Sequence, residues 1–368
     1  MAAVHQPPNS ARVFCPSESI NMKTPFYHGL LAAASTVGLL QAQSPPISSE
    51  PLGYTTTTLH GSHANGSRKN NIISPNLVNP VSWQGTVASV SGDQITLAGA
   101  PLTSGSFNAA SLAPKQYSYY VNTNDGYWAH VVSNDGSSIT LPAGFAANFT
   151  VGEAVLIRRH LTITDYLGNN EAGLKSSPTG NLNQADRITI IDQENGGNVV
   201  IIPSSVAGGI WVNDALQEAG GYPIYPDQGV QISRMDAGDV VLETIGEVDL
   251  NARQIRVTTG SNIRPVAVPT STTLGELLLY TGDASTGVVA SDRGDVSKAD
   301  TVRVTYNGIT SVYFYSTADL GSGAGWYTDN LEFASNKVLP AGSAVVIRRS
   351  NPSNNSPFVW KSPAPVIQ

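Results

Sequence analysis

A strand-like segment that recurs along the chain constrains its fold most. Residues 154–160 read AVLIRRH, residues 344–350 read AVVIRRS, and residues 229–234 read GVQISR. Apolar residues alternate in each segment, and such a period of two is typical of a β-strand that buries one face. We therefore predict that each segment is the closing strand of a similar β-unit.

The spacing of other residues predicts that these units arose by duplication. Units 185–234 and 299–349 both open with Ala-Asp, and a tryptophan follows the aspartate by 25 and 26 residues, respectively. A third unit, 117–159, keeps the strand pattern and the ending but lacks Ala-Asp. Three anchors that agree within one residue indicate an internal repeat. Each unit also contains a pair suited to a tight hairpin turn: Asp125-Gly126, Asn195-Gly196 and Asn307-Gly308.

Strand parity assigns the arginines of the closing strands to faces. Successive side chains point to opposite faces, so the last arginine of each segment shares a face with the apolar residues. By this rule Arg159, Arg234 and Arg349 point inward. Arg158 and Arg348 point outward.

An arginine on a core face needs a partner, because an unpaired buried charge costs several kcal/mol. Asp186 and Asp300 are the expected partners of Arg234 and Arg349, and each pair would join the first strand of its unit to the last. Alternatively, each arginine lies at the strand end and extends into water. Arg159 has no matching aspartate. On either interpretation these residues have a structural role.

The composition favours an all-β fold of duplicated β-sandwich or barrel-like units with a few short helices. Only 13% of the residues are charged, and 35 glycines and 23 prolines punctuate the strand-like runs. Residues 161–174 and 212–221 are the best candidates for short helices. We divide the chain into a β domain at 43–235 with two units, a β domain at 236–350 with one unit, and a polar tail at 351–368.

Residues 1–42 predict an upstream extension followed by an export signal. From Met22 the chain has one lysine, an apolar run at Gly29–Leu40 and a cleavage pattern ending at Ala42. The alternative is that the residues before Met22 are a genuine tail. The single cysteine, Cys15, precedes the signal, so we expect a mature chain without disulfides or thiolate ligands. We expect a secreted or periplasmic protein without a transmembrane anchor.

Charge and motifs narrow the functional classes. The formal net charge is −7, and the sequence shows no basic cluster of the kind that nucleic acids require. No Ser-His-Asp pattern, G-x-S-x-G elbow or H-E-x-x-H motif is present. These features favour a non-enzymatic protein, and we assign no catalytic residue.

Two groups of residues have side chains that could hold a metal ion. Asp283, Asp292 and Asp295 lie among glycines in a loop rich in oxygen ligands, which would suit Ca²⁺, although their spacing does not match an EF-hand. The alternative is a solvated acidic loop, and no other cofactor is expected. His60 and His63 lie three residues apart in a Ser/Gly/Asn-rich loop with no acidic residue nearby, so a surface loop is the better interpretation.

Aromatic residues supply the candidate binding surface. Flat exposed rings can stack on sugars or contact proteins, and the candidates are Tyr117, Tyr119, Tyr127, Trp128, Tyr313 and Tyr315. The alternative is that these rings are ordinary cross-strand partners in the sheets. Trp211 and Trp326, at matching positions of two units, are expected in the core.

The order of short motifs resembles an uncharacterised family of exported, repeat-containing, β-rich bacterial proteins. The motifs are PLGY, NIISP, YYVNTNDG, AVLIRR, ITDYLG, ADRITIID, GIW and PDQGVQISR. Unlike the first half, the second half has no YYV-type unit. The resemblance implies export and β architecture, and it implies no activity or catalytic residues.

Three functions follow in order of preference. The first is an exported, non-enzymatic structural or surface- and matrix-associated protein, with self-association as one expectation. The second is a glycan-binding module, which requires an exposed row of Tyr or Trp. The third is a polysaccharide-active enzyme, which requires a cleft with paired carboxyl groups.

Overall fold

Short β-strands dominate the structure, which confirms the predicted all-β class. The structure, a computed structural model, describes the following residues: 51–110, 116–170, 172–192, 197–206, 210–266, 268, 270–349 and 356–364. The predicted export signal, Cys15 and the Asn195-Gly196 turn lie outside these residues.

Within the described residues we number the strands in chain order. They are β1 (Leu52–Leu59), β2 (Lys69–Ile73), β3 (Val81–Ser91), β4 (Gln94–Gly99), β5 (Tyr119–Thr123), β6 (Trp128–His130), β7 (Ser133–Asn134), β8 (Ser138–Thr140), β9 (Ala154–Arg159), β10 (Leu161–Thr162), β11 (Arg187–Asp192), β12 (Gly197–Pro203), β13 (Trp211–Asn213), β14 (Pro223–Ile224), β15 (Val230–Arg234), β16 (Val240–Glu247), β17 (Arg253–Val257), β18 (Gly260–Pro265), β19 (Thr272–Thr273), β20 (Thr301–Tyr306), β21 (Ile309–Ser316), β22 (Gly325–Thr328), β23 (Val338–Leu339), β24 (Ala344–Arg349) and β25 (Phe358–Ser362).

The helical segments are short. The α-helix α1 spans Ile163–Leu167, inside the first region predicted to be helical. A capping box begins it: the Asp165 amide donates to Thr162 Oγ1, and the Thr162 amide donates to the Asp165 carboxylate. Single-turn 3₁₀ helices lie at Ala146–Asn148, Leu182–Gln184 and Val296–Lys298.

The prediction of a helix at 212–221 is wrong, because this segment makes a tight turn after β13. The Asn213 side chain accepts hydrogen bonds from the amides of Ala215 and Gln217, and the Asn213 amide donates to the Gln217 carbonyl. Leu216, at the tip, has a φ of 59°, which a continuing right-handed helix does not permit. The Asn213 side chain, which is also of a type that caps helices, therefore stabilises a turn.

Two five-stranded sheets have the same order of strands. One is β13-β12-β11-β15-β2 and the other is β22-β21-β20-β24-β18. In each sheet the closing strand lies between the first strand of the hairpin and a strand from earlier in the chain. The seven-stranded sheet, β6-β5-β9-β3-β4-β8-β7, places its closing strand β9 between β5 and β3 in the same way. The three arginine segments thus have central positions in their sheets.

Three large apolar cores lie against these sheets in the described part of the chain. Ile95, Val121 and Ile157 belong to the core of the seven-stranded sheet. The first five-stranded sheet buries Trp211 and the second buries Trp326, at 1% and 2% exposure, as we expected from their matching positions.

Strand pairing joins the two expected domains. The two-stranded ribbon of β1 and β16 pairs Leu52 with Glu247 and Leu59 with Val240, so it crosses the expected boundary after residue 235. Residues 47–368 form one compact unit. Part of the expected polar tail is strand β25, which pairs with β17 and buries Phe358 and Trp360 in the core of the second five-stranded sheet.

Candidate functional site

Asp186 and Arg234, predicted as partners, lie together inside the protein. Arg234 Nε donates to Asp186 Oδ2 at 2.7 Å, and the two side chains are 1% and 0% exposed. The backbone amides of Lys175 and Met235 donate to the same carboxylate. The guanidinium also donates to the carbonyl oxygen of Leu59. These contacts fasten the start of β11 to the end of β15, which is a structural role.

Asp300 and Arg349 repeat this arrangement in the second five-stranded sheet. Arg349 Nε lies 3.5 Å from Asp300 Oδ2, and both side chains are fully buried. The amide of Val289 donates to the Asp300 carboxylate at 2.9 Å, and like Lys175 in the other sheet it lies eleven residues before the aspartate. Burial lowers the pKa of Arg349, whereas the charge of Asp300 opposes this shift.

The first unit does not follow the parity rule that we applied to its arginines. Arg158, expected outside, is buried, and its Nη1 lies 2.7 Å from Glu247 Oε2. Arg159, expected inside, is 43% exposed and pairs with Asp165 of α1. The reason is that Glu247 of β16 and the carbonyl of Asn79 meet Arg158 on the outer face of β9. Parity identifies the two faces of a strand, but it does not show what covers each face.

The six candidate aromatic residues do not form an exposed row. Trp128 and Tyr313 are buried, and the other four are half-buried: Tyr117, Tyr119, Tyr127 and Tyr315. Ring stacking covers two of them, because Tyr117 lies on His130 at a centroid distance of 4.1 Å and Tyr315 lies on Tyr280 at 3.9 Å. Their arrangement agrees with the alternative interpretation of cross-strand packing.

The three candidate calcium ligands each have a local environment of their own. The Asp283 and Asp295 carboxylates accept hydrogen bonds from Ser285 and Ser297, respectively, and these bonds lower the pKa of both aspartates. Asp292 is exposed. Asp295 caps the 3₁₀ helix Val296–Lys298, as Asn181 caps Leu182–Gln184. Within the described residues, no three His, Cys, Asp or Glu side chains are grouped to hold a metal ion.

His130 and His160 form a buried pair that no sequence motif indicated. His130 Nδ1 and His160 Nε2 are 3.1 Å apart, and the two residues are 0% and 1% exposed. Rings of Tyr120, Trp128 and Tyr225 surround them. Burial, with a contribution from His130, lowers the pKa of His160 well below its usual value of 6.5. His160 is therefore neutral at neutral pH, and the pair is a hydrogen-bonded part of the core.

An open groove of about 270 Å³ lies where both halves of the chain meet. Four segments line it, and we call it the threonine groove. The strand β1 and the residues after it, β2, the β20–β21 turn and the loop before β24 contribute Thr56, Thr57, Thr58, His60, Asn71, Ile72, Ile73, Thr305, Tyr306, Asn307, Gly308, Pro340, Ala341, Gly342 and Ser343.

Hydrogen bonds fix the walls of the threonine groove to one another. The Ser74 amide donates to the Gly342 carbonyl at 2.9 Å, and Ser74 Oγ donates to the Ser343 carbonyl at 2.7 Å. Gly342 has a φ of 75°, and a Cβ atom there would lie 2.9 Å from Thr57 Oγ1, so glycine suits this close approach. On the other side, the His60 amide donates to Asn71 Oδ1 at 2.8 Å. Backbone and side-chain hydrogen bonds therefore hold the walls of the groove together.

Tyr306 and the adjacent turn form the rim of the threonine groove. Asn307 and Gly308 have φ angles of 49° and 70°, as the predicted Asn-Gly hairpin turn requires. This turn ends β20 and leaves the Tyr306 ring 45% exposed. The ammonium of Lys337 lies 5.6 Å from the centre of that ring.

The lining of the threonine groove combines apolar and hydrogen-bonding surface. Ile72 and Ile73 are buried at its base, and threonine hydroxyls, the Asn307 amide and the His60 imidazole surround them. His60 Nδ1 lies 3.0 Å from Asp239 Oδ2, which orients the imidazole ring. Sugars present apolar ring faces and hydroxyl edges, and this lining offers partners for both.

The threonine groove was not predicted from the sequence. The Asn307-Gly308 turn was predicted, but Tyr306 was not among the candidate aromatic residues. The run Thr55–Thr58 was a possible signal, because a strand of consecutive threonines carries hydroxyls on both of its faces. The segments that complete the groove lie more than two hundred residues away in the sequence, so no local motif contains the site.

Comparisons with known proteins give no match: no protein-family model, curated protein or solved structure is similar to this chain. Among the described residues, no helix has the length and apolar character needed to cross a membrane.

Proposed function

We propose that this chain is an exported, non-enzymatic structural β-protein of the cell surface or matrix that holds a polysaccharide in the threonine groove. The observation that carries the proposal is the composition of the groove: an exposed tyrosine ring at the rim, hydroxyl and amide groups along the walls, and buried isoleucines at the base. A sugar chain can stack one ring on Tyr306 and exchange hydrogen bonds with the walls. The export signal expected at residues 22–42 would deliver the protein to such a polymer.

The scaffold around the groove supports a structural role. We infer that residues 185–234 and 299–349 are copies of one unit, because both sheets have the same strand order and the same buried Asp–Arg pair. Matching hydrogen bonds extend to the loops. The Ala219 amide donates to the Trp211 carbonyl, and the Ala334 amide donates to the Trp326 carbonyl. Such closed, hydrogen-bonded units would hold the walls of the groove at fixed positions.

The charge of the groove lining favours binding over hydrolysis. Glycoside hydrolysis uses two carboxyl groups on either side of the scissile bond. The residues that line the threonine groove include neither aspartate nor glutamate. The nearby Asp239 carboxylate contacts the His60 ring and the Gly61 amide, and these bonds lower its pKa. We therefore propose a polysaccharide-binding site in which Asp239 positions His60.

Affinity electrophoresis through gels that contain single polysaccharides, with sedimentation on cellulose and chitin, tests this proposal. The purified protein should bind at least one polymer. The Tyr306→Ala variant should bind about five- to tenfold more weakly, since one aromatic contact contributes about 1 kcal/mol. Tyr54→Ala is the matched control, because Tyr54 is also an exposed tyrosine but does not line the groove.

Two results would contradict the proposal. One is that none of the polymers retards the protein, and the other is that Tyr306→Ala and Tyr54→Ala weaken binding equally. Size-exclusion chromatography of the same samples, with and without polymer, separates binding from self-association. Reducing-sugar release during incubation would indicate an enzyme in place of a binding protein.

A further inference from the structure

Two lysines flank the aromatic rim of the threonine groove. A Cβ atom built on Gly308 would lie only 2.3 Å from Lys69 Nζ, so this ammonium lies directly against the turn. Lys337 Nζ is 5.6 Å from the centre of the Tyr306 ring. The turn that presents Tyr306 thus has two positive charges close to it.

These charges contrast with the rest of the protein. The chain carries 27 acidic and 20 basic residues, for a formal net charge of −7. At the other end of the groove, Asp239 is hydrogen-bonded to His60 and feels the charge of Lys69, and Glu243 lies opposite Thr56 in the β1–β16 ladder. Lys69 and Lys337 place positive charge at the Tyr306 end of the rim. Fields from the distant acidic residues are screened over about 10 Å at moderate salt, so the rim acts locally.

We propose that the polysaccharide of the threonine groove carries carboxylate groups, as a uronic acid polymer does. This inference rests on the proposed function and specifies its ligand class. A uronate ring stacked on the exposed part of Tyr306 would place its carboxylate beside the ring edge, within reach of Lys337 or Lys69. The hydroxyls of the same sugar would face Thr56, Thr58 and Thr305. A neutral polymer would use the ring and the hydroxyls but would leave both ammonium groups without a partner.

The test compares three probes: polygalacturonate, the neutral glucan pullulan and inorganic polyphosphate. The full-length protein should bind polygalacturonate, with affinity that falls as salt rises. Lys69→Gln and Lys337→Gln should each weaken this binding about tenfold, the scale of one lost hydrogen bond to a charged group. Lys69→Arg and Lys337→Arg should retain binding, since they keep the charge. Lys361→Gln, at an exposed position of β25 outside the groove, is the matched control.

The other outcomes are distinguishable. Equal binding of pullulan, or lysine variants that bind polygalacturonate normally while Tyr306→Ala does not, would overturn the carboxylate inference and leave the proposed function standing. Polyphosphate binding as tight as polygalacturonate binding would show a general polyanion surface and would also overturn it. If no polysaccharide binds, the proposed function and this inference fail together. Thermal unfolding of each variant verifies that it is folded.

Discussion

The Arg234→Met variant provides the sharpest test of how this fold is held together. Arg234 and Asp186 are buried, and the carboxylate receives hydrogen bonds from Arg234 Nε and from the amides of Lys175 and Met235. Methionine fills similar space but removes the positive charge. The Asp186 carboxylate would then be buried without a counterion, and breaking such a pair costs about 3–5 kcal/mol.

Arg159→Met is the matched control. Arg159 also ends a closing strand and contacts an aspartate at 2.8 Å, but its side chain and that of Asp165 are 43% and 24% exposed. Water screens this pair, so its loss should lower the free energy of unfolding by about 1 kcal/mol or less. The same chemical change in these two closing strands should therefore differ by at least about 2 kcal/mol in its effect on the free energy of unfolding.

Urea unfolding, followed by tryptophan fluorescence and far-ultraviolet circular dichroism, measures both variants. Trp211 lies in the core that Ile232 of β15 also joins, so its emission reports on this region. The double variant Asp186→Leu/Arg234→Met should recover most of the loss, since a buried ion pair can be replaced by apolar residues of similar volume. The reasoning is refuted if Arg234→Met lies within about 1 kcal/mol of the unmodified protein, or if the double variant recovers nothing.

Two further predictions concern titration and backbone strain. The pKa of His160 is lower in the folded protein than in the unfolded chain, so the unfolded chain binds a proton at higher pH. The free energy of unfolding should therefore be at its full value above about pH 6.5. Below about pH 6.5 it should fall by up to about 1.4 kcal/mol per pH unit. Urea unfolding midpoints between pH 5 and pH 7.5 measure this pH dependence. The control variant His63→Gln, at an exposed histidine, should keep the slope, whereas a slope that persists in His160→Phe would contradict the prediction. Leu331 has a φ of 63° at the tip of an exposed turn, so Leu331→Asn should raise the free energy of unfolding by about 1 kcal/mol. Thermal unfolding measures this change, and a lower melting temperature for Leu331→Asn would show that the leucine side chain contributes more than the backbone costs.

The sequence predicted the structure correctly where interactions between neighbouring residues determine the local conformation. The Asn307-Gly308 turn follows from the positive φ that its hairpin requires. Alternation predicted that Arg349 is buried and Arg348 exposed, and the structure has both. Where contacts with a distant segment determine burial, the same local rules were insufficient. Arg158 is buried because Glu247 of β16 reaches it, and no property of the segment AVLIRR contains that information.

Turn chemistry explains the error at 212–221. Asn213 followed by Leu216 can begin a helix or bracket a tight turn, and local propensity does not separate these cases. A second segment of the chain contains relevant information. In residues 326–334, WYTDNLEFA, the tryptophan, aspartate, leucine and alanine have the same spacing as in WVNDALQEA, but phenylalanine replaces a helix former. Leu216 and Leu331 have φ angles of 59° and 63°, so both segments form a similar turn.

The candidate site shows the limit of local reasoning most clearly, because no single segment of it has a binding signature. A threonine run predicts an edge strand, an Asn-Gly pair predicts a turn, and a Pro-Ala-Gly sequence predicts a strand entry. These segments form a groove only in the folded chain, where Ser74 hydrogen-bonds to Gly342 and Ser343 and β1 lines the same groove as the β20–β21 turn. If the two five-stranded sheets hold these segments in place, substitutions that loosen the Ser74 contact should weaken ligand binding before they unfold either sheet.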